Sequence, residues 1–137
     1  MITLKTEDCR FGQIGDWPSY DDIRSIDTGN EQYNFLIQLH ELIESQLCKF
    51  KGITAEAVDN FDKDYKGIGE PGDDPRCPYR KQHQFATIIE MMVAHELGIS
   101  FPDYISITDY IGKQHSKGDY CGENERLRTW QRFDGYR

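Results

Sequence analysis

The segment 35–48, FLIQLHELIESQLC, constrains the fold of this chain more than any other stretch. Its apolar residues recur at steps of three and four, which predicts an amphipathic helix with one face in the core. The residues of this apolar stripe are Leu36, Leu39, Ile43 and Leu47. The chain is therefore expected to build its interior around this helix.

Ionisable side chains border that apolar stripe. His40 and Glu44 are four residues apart and Glu41 and Glu44 are three apart, so on a helix they are neighbours. A carboxylate that is buried without a partner is strongly unfavourable. A divalent cation is the natural partner for one histidine and two carboxylates at the edge of a buried face.

Apolar spacing, glycines and capping residues predict an α+β fold that is mostly helical, with three to four helices packed against a small N-terminal antiparallel sheet. The strands are expected within residues 2–5, 11–17 and 22–27. The helices are expected at 31–50, from Thr54 onward, at 79–98, and as a short helix from Pro102. Thr28 or Asn30 is expected to cap the first helix and Thr54 the second.

Residues 1–113 are predicted to form a single compact domain, followed by a polar C-terminal tail at 114–137. Leu127, Trp130 and Phe133 fall at helical spacing in that tail. They are expected either to dock as a last helical turn or to make an oligomer contact, and a homodimer would fit either arrangement.

The predicted third helix carries a second polar line, formed by His83, Thr87 and Glu90. Its packing is expected to come from Phe85, Ile88, Ile89, Met92 and Val93. The pair His95 and Glu96 in its last turn is interpreted as ordinary surface, where a histidine suits the negative end of a helix.

The two polar lines together predict a metal site between the first and third helices. Its ligands would be His40, Glu44, His83 and Glu90, with Asp62 or a loop acid in reserve. Histidine with carboxylates suits Zn, Mn or Fe, and an open position would hold a water that ionises near neutral pH and attacks a phosphoryl or acyl centre. Glu41 would then be the general base. The alternative is that both histidines are core residues, hydrogen-bonded to Glu44, Glu90 or Thr87 without a metal.

The segment 67–79, GIGEPGDDPRCPY, is predicted to be an irregular loop because it holds three glycines and three prolines. Two interpretations remain open: a functional loop that presents Glu70, Asp73 and Asp74, or a surface connector. Arg76, Arg80 and Lys81 follow or end this loop. They are candidates for holding a substrate phosphate, or they are solvated charges.

Charge and composition narrow the classes of function. The 137 residues include 16 Lys and Arg against 24 Asp and Glu, a net charge of −8 that argues against general binding to nucleic acids. Such a balance fits acids that bind cations, or an acidic protein that blocks a basic partner. No apolar run reaches the length of a membrane span, and the N-terminus lacks the apolar region of a signal peptide. The four cysteines form no CxxC pair, so free thiols in a cytosolic protein are expected.

Three resemblances bear on function. His40-Glu41-Leu42-Ile43-Glu44 resembles the zinc metalloprotease motif HExxH, with Glu44 where the second histidine of that family stands. The pair His40-Glu41 is loosely similar to the His-Asp pair of HD-type phosphohydrolases. Residues 36–44, 70–75 and 83–87 together resemble small uncharacterised proteins of tailed bacteriophages.

The favoured hypothesis is a metal-dependent hydrolase that acts on a phosphate-bearing small molecule, such as a nucleotide, in the cytosol of a phage-infected host. The first alternative is a non-catalytic acidic phage protein that binds and inhibits a host protein. A degenerate zincin-like peptidase is the third hypothesis.

Overall fold

A computed structural model describes residues 1–67 and 69–115 of the chain. Three short strands precede four helices, so the mostly helical α+β class predicted from the sequence is confirmed. The elements are β1 (Thr3–Thr6), β2 (Gly15–Ser19), β3 (Asp22–Ser25), α1 (Glu31–Lys51), α2 (Ala55–Asp64), α3 (Arg80–Glu96) and α4 (Phe101–His115). One turn of 3-10 helix at Pro71–Asp73 interrupts the loop between α2 and α3.

The sheet is mixed, with the strand order β1-β3-β2. The β2–β3 pair is antiparallel as predicted, whereas β1 runs parallel to β3. Pro18 lies within β2, an edge strand, and the pairing there is irregular between Asp16 and Ser19. Proline has no amide proton for a ladder and is tolerated at such an edge.

Helix α1 begins and ends where its capping residues predict. The Asn30 side chain accepts a hydrogen bond from the Tyr33 amide at 3.1 Å, and Gly52 adopts a left-handed φ of 73° just past the last turn. The Thr54 hydroxyl caps α2 in the same way, accepting from the Ala57 amide at 3.1 Å. The sharp turn between these two caps sends α2 back beside the sheet.

Helices α1 and α3 pack antiparallel, between two separate apolar clusters. Leu36 near the start of α1 shares the first cluster with Ala94 near the end of α3. Cys48 near the end of α1 shares the second cluster with Tyr79, which immediately precedes α3. The middle turns of both helices therefore face each other between the clusters, and those turns carry the polar lines.

The polar lines occupy the buried faces of these helices, which corrects the predicted packing. In α1 the buried residues are Leu36, Ile37, His40, Glu44, Ser45 and Cys48. In α3 they are His83, Ala86, Thr87, Glu90 and Ala94. Leu39, Ile43 and Leu47 are only half-buried.

Several aromatic and long apolar side chains that were expected to pack lie at the surface instead. Phe85 and Met92 on α3 are 58% and 66% exposed. The reason is geometric: these side chains lie on the side of their helices away from the α1–α3 contact. His95 and Glu96 are exposed, as predicted.

Helix α4 is longer than the predicted short helix and buries Tyr104 and Ile105 completely. The predicted tail at 114–137, with its docking or oligomer contact, lies outside the described residues from 116 onward. Among the described helices, none has both the length and the apolar character needed to cross a bilayer. Cys9, Cys48 and Cys77 are free thiols.

Candidate metal centre

Three side-chain atoms from α1 and α3 converge at one point. The Nε2 atom of His40 lies 3.3 Å from Glu44 Oε2 and 3.2 Å from His83 Nδ1. Glu44 Oε2 and His83 Nδ1 are 2.9 Å apart, which closes the triangle. All three residues are buried. The predicted convergence of His40, Glu44 and His83 is therefore present in the fold.

The size of this triangle matches the ligand spacing of a metal ion. Ligand atoms about 2.05 Å from a metal are about 3.3 Å apart at the tetrahedral angle and about 2.9 Å apart at the octahedral angle. The three observed edges, 2.9, 3.2 and 3.3 Å, lie in that interval. Without a metal, both ring nitrogens lie within hydrogen-bond distance of Glu44 Oε2, and with a metal both would present their lone pairs to it. A triad of two histidines and one carboxylate is a ligand set of Zn and of Fe(II).

A carboxylate holds the far nitrogen of His40. His40 Nδ1 lies 3.0 Å from Glu90 Oε1, and the hydroxyl of the fully buried Tyr104 donates to Glu90 Oε2. Because a carboxylate only accepts, this contact places a proton on Nδ1, so Nε2 is the nitrogen that would ligate a bound metal. Glu90, which was predicted to be a ligand, is thus placed to orient His40.

His83 is held in the same manner by the irregular loop. Its Nε2 atom lies 3.1 Å from Glu70 Oε2 and 3.6 Å from Asp73 Oδ1, which leaves Nδ1 for the triangle. The loop approaches this closely because Gly72 has no side chain: a Cβ there would lie 2.4 Å from His83 Cγ. The loop therefore packs against His83, with Glu70 and Asp73 directed at its ring. Glu70, Asp73 and His83 also form a second group with metal-ligand spacing, on the opposite side of the same ring.

The second oxygen of Glu44 is fixed by the sheet. Trp17 Nε1 on β2 donates to Glu44 Oε1 at 2.9 Å, and the Trp17 side chain is buried in the second apolar cluster. Each of the three converging groups therefore has its other polar atom engaged by a neighbour. Such outer contacts orient metal ligands and raise their basicity.

The electrostatics of the triangle follow from burial and close contact. Burial lowers the pKa of His40, but its contacts with Glu44 and Glu90 outweigh burial and raise the pKa to about 10. Burial likewise opposes the protonated form of His83, yet Glu44 and Glu70 raise its pKa well above the ordinary value. Burial raises the pKa of Glu44, but both histidines outweigh burial and hold it below the ordinary range. The pocket is built to stabilise positive charge.

The triangle forms part of the wall of a cavity of about 500 Å³, a volume typical of small-molecule sites. The cavity is lined by more carboxylates than cations. The carboxylates are Asp16, Glu41, Glu44, Asp59, Asp62, Glu70 and Glu90, and the cations among the described residues are Arg10, Lys63 and Lys66.

Glu41 lies on this cavity wall one residue after His40, as the general-base hypothesis requires. It packs against the backbone of β2, where a Cβ on Gly15 would lie 2.9 Å from Glu41 Cγ. Burial and the negative charge of Glu44 raise the pKa of Glu41 well above its ordinary value. The side chain is half-buried and faces the same space as the triangle.

Asp62, the predicted reserve ligand, lies on the cavity wall formed by α2 but is not part of either group with metal-ligand spacing. Its carboxylate accepts hydrogen bonds from the Tyr79 hydroxyl and from Gln13 Nε2, the latter at 3.2 Å. The structure therefore brings Asp62 to the site without bringing it to the triangle.

The three predicted phosphate-binding residues do not line the cavity. Arg76 is exposed and its Nε and Nη2 atoms bond the Asp74 carboxylate, each at 3.0 Å. Arg80 is half-buried and Lys81 is exposed.

Sequence reasoning did not single out Trp17, Tyr104 or Gly72 as parts of the site. The contact between Trp17 and Glu44 spans 27 residues, and no local spacing encodes it. Only Gly72 left a signal, because a glycine inside an acidic loop indicates a close approach of backbone to another group.

Comparisons with known proteins add no family or structural relative. No family model matches the chain, and neither the curated proteins nor the solved structures gave a match. The function is therefore inferred from the geometry of the site.

Proposed function

We propose that this protein is a metal-dependent hydrolase that acts on a phosphate-bearing small molecule. One observation carries the proposal: His40, Glu44 and His83 direct three donor atoms at a common point on the wall of a cavity, and a neighbour orients each of them. Histidines at rest in a core need one hydrogen-bond partner per ring nitrogen. They do not need a carboxylate oxygen that lies at metal-ligand distance from both rings.

The cofactor of this proposal is a divalent ion, Zn, Mn or Fe, held by His40, Glu44 and His83. Such an ion supplies Lewis-acid activation of water and of a phosphoryl or acyl oxygen. Glu90 and Glu70 keep the two imidazoles in the tautomers that ligation needs. Glu41 lines the same cavity and is the candidate general base; because burial and Glu44 raise its pKa, it would accept a proton from water only after a nearby positive charge had favoured its ionised form.

The substrate class is inferred from the cavity. A space of about 500 Å³ holds a nucleotide-sized molecule. Arg10 already binds Asp59 through both terminal guanidinium nitrogens, at 2.9 and 3.1 Å. Lys63 and Lys66 also line the cavity, so they replace Arg76, Arg80 and Lys81 as the candidate partners of a substrate phosphate.

The first experiment is elemental analysis of protein purified without a metal-binding tag. We expect about one equivalent of Zn, Mn or Fe in the wild type, and none in His40→Ala or His83→Ala. The matched control is His95→Ala, because His95 lies on the same helix as His83 but is exposed. A wild type that binds none of these ions, even after incubation with each, would refute the metal centre. The acidic protein that binds and inhibits a host protein would then become the leading hypothesis.

The second experiment tests turnover. The metal-loaded protein should release phosphate from nucleotides or from 4-nitrophenyl phosphate. Glu41→Gln should retain the metal and lose about 10²–10⁴-fold in rate, which is the usual contribution of a general base. Equal rates for the variant and the wild type would remove Glu41 from the mechanism. Release of peptides in place of phosphate would favour the zincin-like alternative.

The setting of this activity is also a proposal. The resemblance of residues 36–44, 70–75 and 83–87 to small phage proteins supports an origin in a tailed bacteriophage and action in the host cytosol. A homodimer remains a proposal that size-exclusion chromatography with light scattering tests directly.

A further inference from the structure

The other ring nitrogen of His83 has its own set of neighbouring donor atoms. His83 Nε2 lies 3.1 Å from Glu70 Oε2 and 3.6 Å from Asp73 Oδ1, and one ligand atom from each of the three residues lies within 4.8 Å of the others. This outer group adjoins the triangle directly, because His83 Nδ1 is one corner of the triangle. One ring nitrogen with two carboxylates is a ligand set for a divalent cation.

The spacing of the outer group fits a cation better than it fits a proton. Ligand atoms about 2.2 Å from a metal are about 3.1 Å apart at a right angle and about 3.6 Å apart at the tetrahedral angle. The two distances from His83 Nε2, 3.1 and 3.6 Å, have these values. A proton on Nε2 accounts only for the contact with Glu70, since 3.6 Å is too long for a hydrogen bond to Asp73. A cation accounts for both contacts.

The backbone of the loop holds the two carboxylates in place. The Asp73 amide donates to the Glu70 carbonyl at 3.1 Å within the turn of 3-10 helix, and Gly72 between them lies against the His83 ring. The Asp73 side chain is only 3% exposed. The Glu70 side chain is 17% exposed and lines the cavity. A cation can therefore reach the outer group from the cavity without unfolding the loop.

We propose that Glu70, Asp73 and His83 form a second divalent-cation site, and that a cation there excludes one from the triangle. A neutral imidazole has a single lone pair, and its other nitrogen carries a proton. When Nδ1 binds a metal in the triangle, Nε2 donates to Glu70. When Nε2 binds a metal in the outer group, Nδ1 donates to Glu44. The exclusion rests on the proposed function, since it needs a metal in the triangle, whereas the outer site itself does not.

The two sites differ in the cations they prefer. Carboxylate oxygens suit Mn²⁺, whereas imidazole nitrogens suit Zn²⁺. The outer group offers two carboxylates and one nitrogen, and the triangle offers two nitrogens and one carboxylate. We therefore expect added Mn²⁺ to occupy the outer site of the metal-free protein and Zn²⁺ to occupy the triangle.

The first test is a titration of metal-free protein with Mn²⁺, followed by the EPR signal of the free ion. We expect one equivalent to bind to the wild type and to His40→Ala with the same Kd, because His40 belongs only to the triangle. Asp73→Asn should raise the Kd at least about tenfold, since it removes a charged ligand. The matched control is Asp74→Asn, whose carboxylate bonds Arg76 and which should bind Mn²⁺ as the wild type does.

Two results of this titration would overturn the outer site. Absence of Mn²⁺ binding to the wild type would remove it outright. Loss of Mn²⁺ binding in His40→Ala would place that ion in the triangle. An unchanged Kd for Zn²⁺ in Asp73→Asn shows that the variant is folded, so its weaker Mn²⁺ binding then reports on the outer site alone.

The second test measures the exclusion, by titrating Zn²⁺ against a chromogenic chelator in the presence of Mn²⁺. With Mn²⁺ at ten times its wild-type Kd, the apparent Kd for Zn²⁺ should rise about tenfold in the wild type and at most about twofold in Asp73→Asn. No rise in the wild type, or an equal rise in both proteins, would overturn the exclusion.

The outcomes separate this proposal from the proposed function. Binding of Mn²⁺ to the wild type and to His40→Ala, without binding of Zn²⁺ to either, would support the outer site and refute the metal centre of the hydrolase. A Zn²⁺-loaded protein that releases phosphate but binds no Mn²⁺ would leave the hydrolase in place and overturn the outer site.

Discussion

The loop residue Glu70 provides the sharpest test of the proposed metal centre, because it contacts His83, a proposed ligand, and is not itself part of the triangle. Its Oε2 atom lies 3.1 Å from His83 Nε2, and its side chain is 17% exposed. The variant Glu70→Gln keeps the shape and an acceptor oxygen but removes the negative charge that makes the imidazole a stronger ligand. The change therefore isolates the orienting contact.

The expected magnitude follows from this contact. A hydrogen bond to a charged group contributes about 1.5–3 kcal/mol. Removing an outer partner of a ligating histidine typically weakens metal binding about 10–100-fold, which corresponds to about 1.4–2.7 kcal/mol. We therefore expect Glu70→Gln to raise the Kd for Zn by one to two orders of magnitude while the fold is retained.

The assay is a competition titration of the metal-free protein against a chromogenic chelator at fixed pH. The control is Asp74→Asn, which removes the same charge from the same loop, at a residue whose carboxylate bonds Arg76 instead of His83. Equal Kd values for the wild type and Glu70→Gln would show that Glu70 does not tune His83. An equal weakening in both variants would show that only the overall loop charge matters.

Three further outcomes are expected. Zn at 100 times its Kd should stabilise the wild type by about 2.7 kcal/mol, measured in a thermal melt. His83→Ala should show no such gain in stability. A gain in that variant would show that Zn binds elsewhere. Gly72→Ala places a Cβ 2.4 Å from His83 Cγ, so it should weaken Zn binding as well as stability, and an unchanged Kd would contradict the close approach of the loop. Burial raises the pKa of Asp16, but hydrogen bonds from Arg24 and Arg10 outweigh burial and lower it. The ionised carboxylate therefore stabilises the fold at any pH above the unfolded pKa of about 3.9. This stabilisation is lost as the pH falls through the lower folded pKa. Urea unfolding from pH 7 to pH 3 should therefore show Asp16→Asn destabilised by about 1–3 kcal/mol at pH 7, and a constant difference across this range would contradict the assignment.

The mostly helical fold and both polar lines could be predicted from the sequence. The steps of three and four residues in 35–48 and 79–98 depend only on the helical period, which is a local property. The same period places His40 beside Glu44, and His83 on one line with Glu90. These residues were correctly assigned to the interior for that reason.

The sequence alone did not determine which side chains on those helices reach the core. The apolar residues of 35–48 and the polar line beside it compete for the same face, and the decision depends on what packs opposite. Pairing with α3 and the sheet buried His40 and Glu44 and left Leu39 half-exposed. Burial is a property of the assembled layers, so local spacing alone did not predict which of these side chains are buried.

Only the tertiary structure decided how the site is completed. Whether Glu90 binds a metal or orients His40 depends on a contact across 50 residues, and the contact between Trp17 and Glu44 spans 27. The position of Asp62 on the cavity wall involves hydrogen bonds from Gln13 and Tyr79, which are 49 and 17 residues away in sequence. The sequence determined which helices carry the donors, since helical spacing is local. The tertiary structure determined which donors converge and which ones hold them, since those distances exist only after α1, α3, the loop and the sheet have packed together.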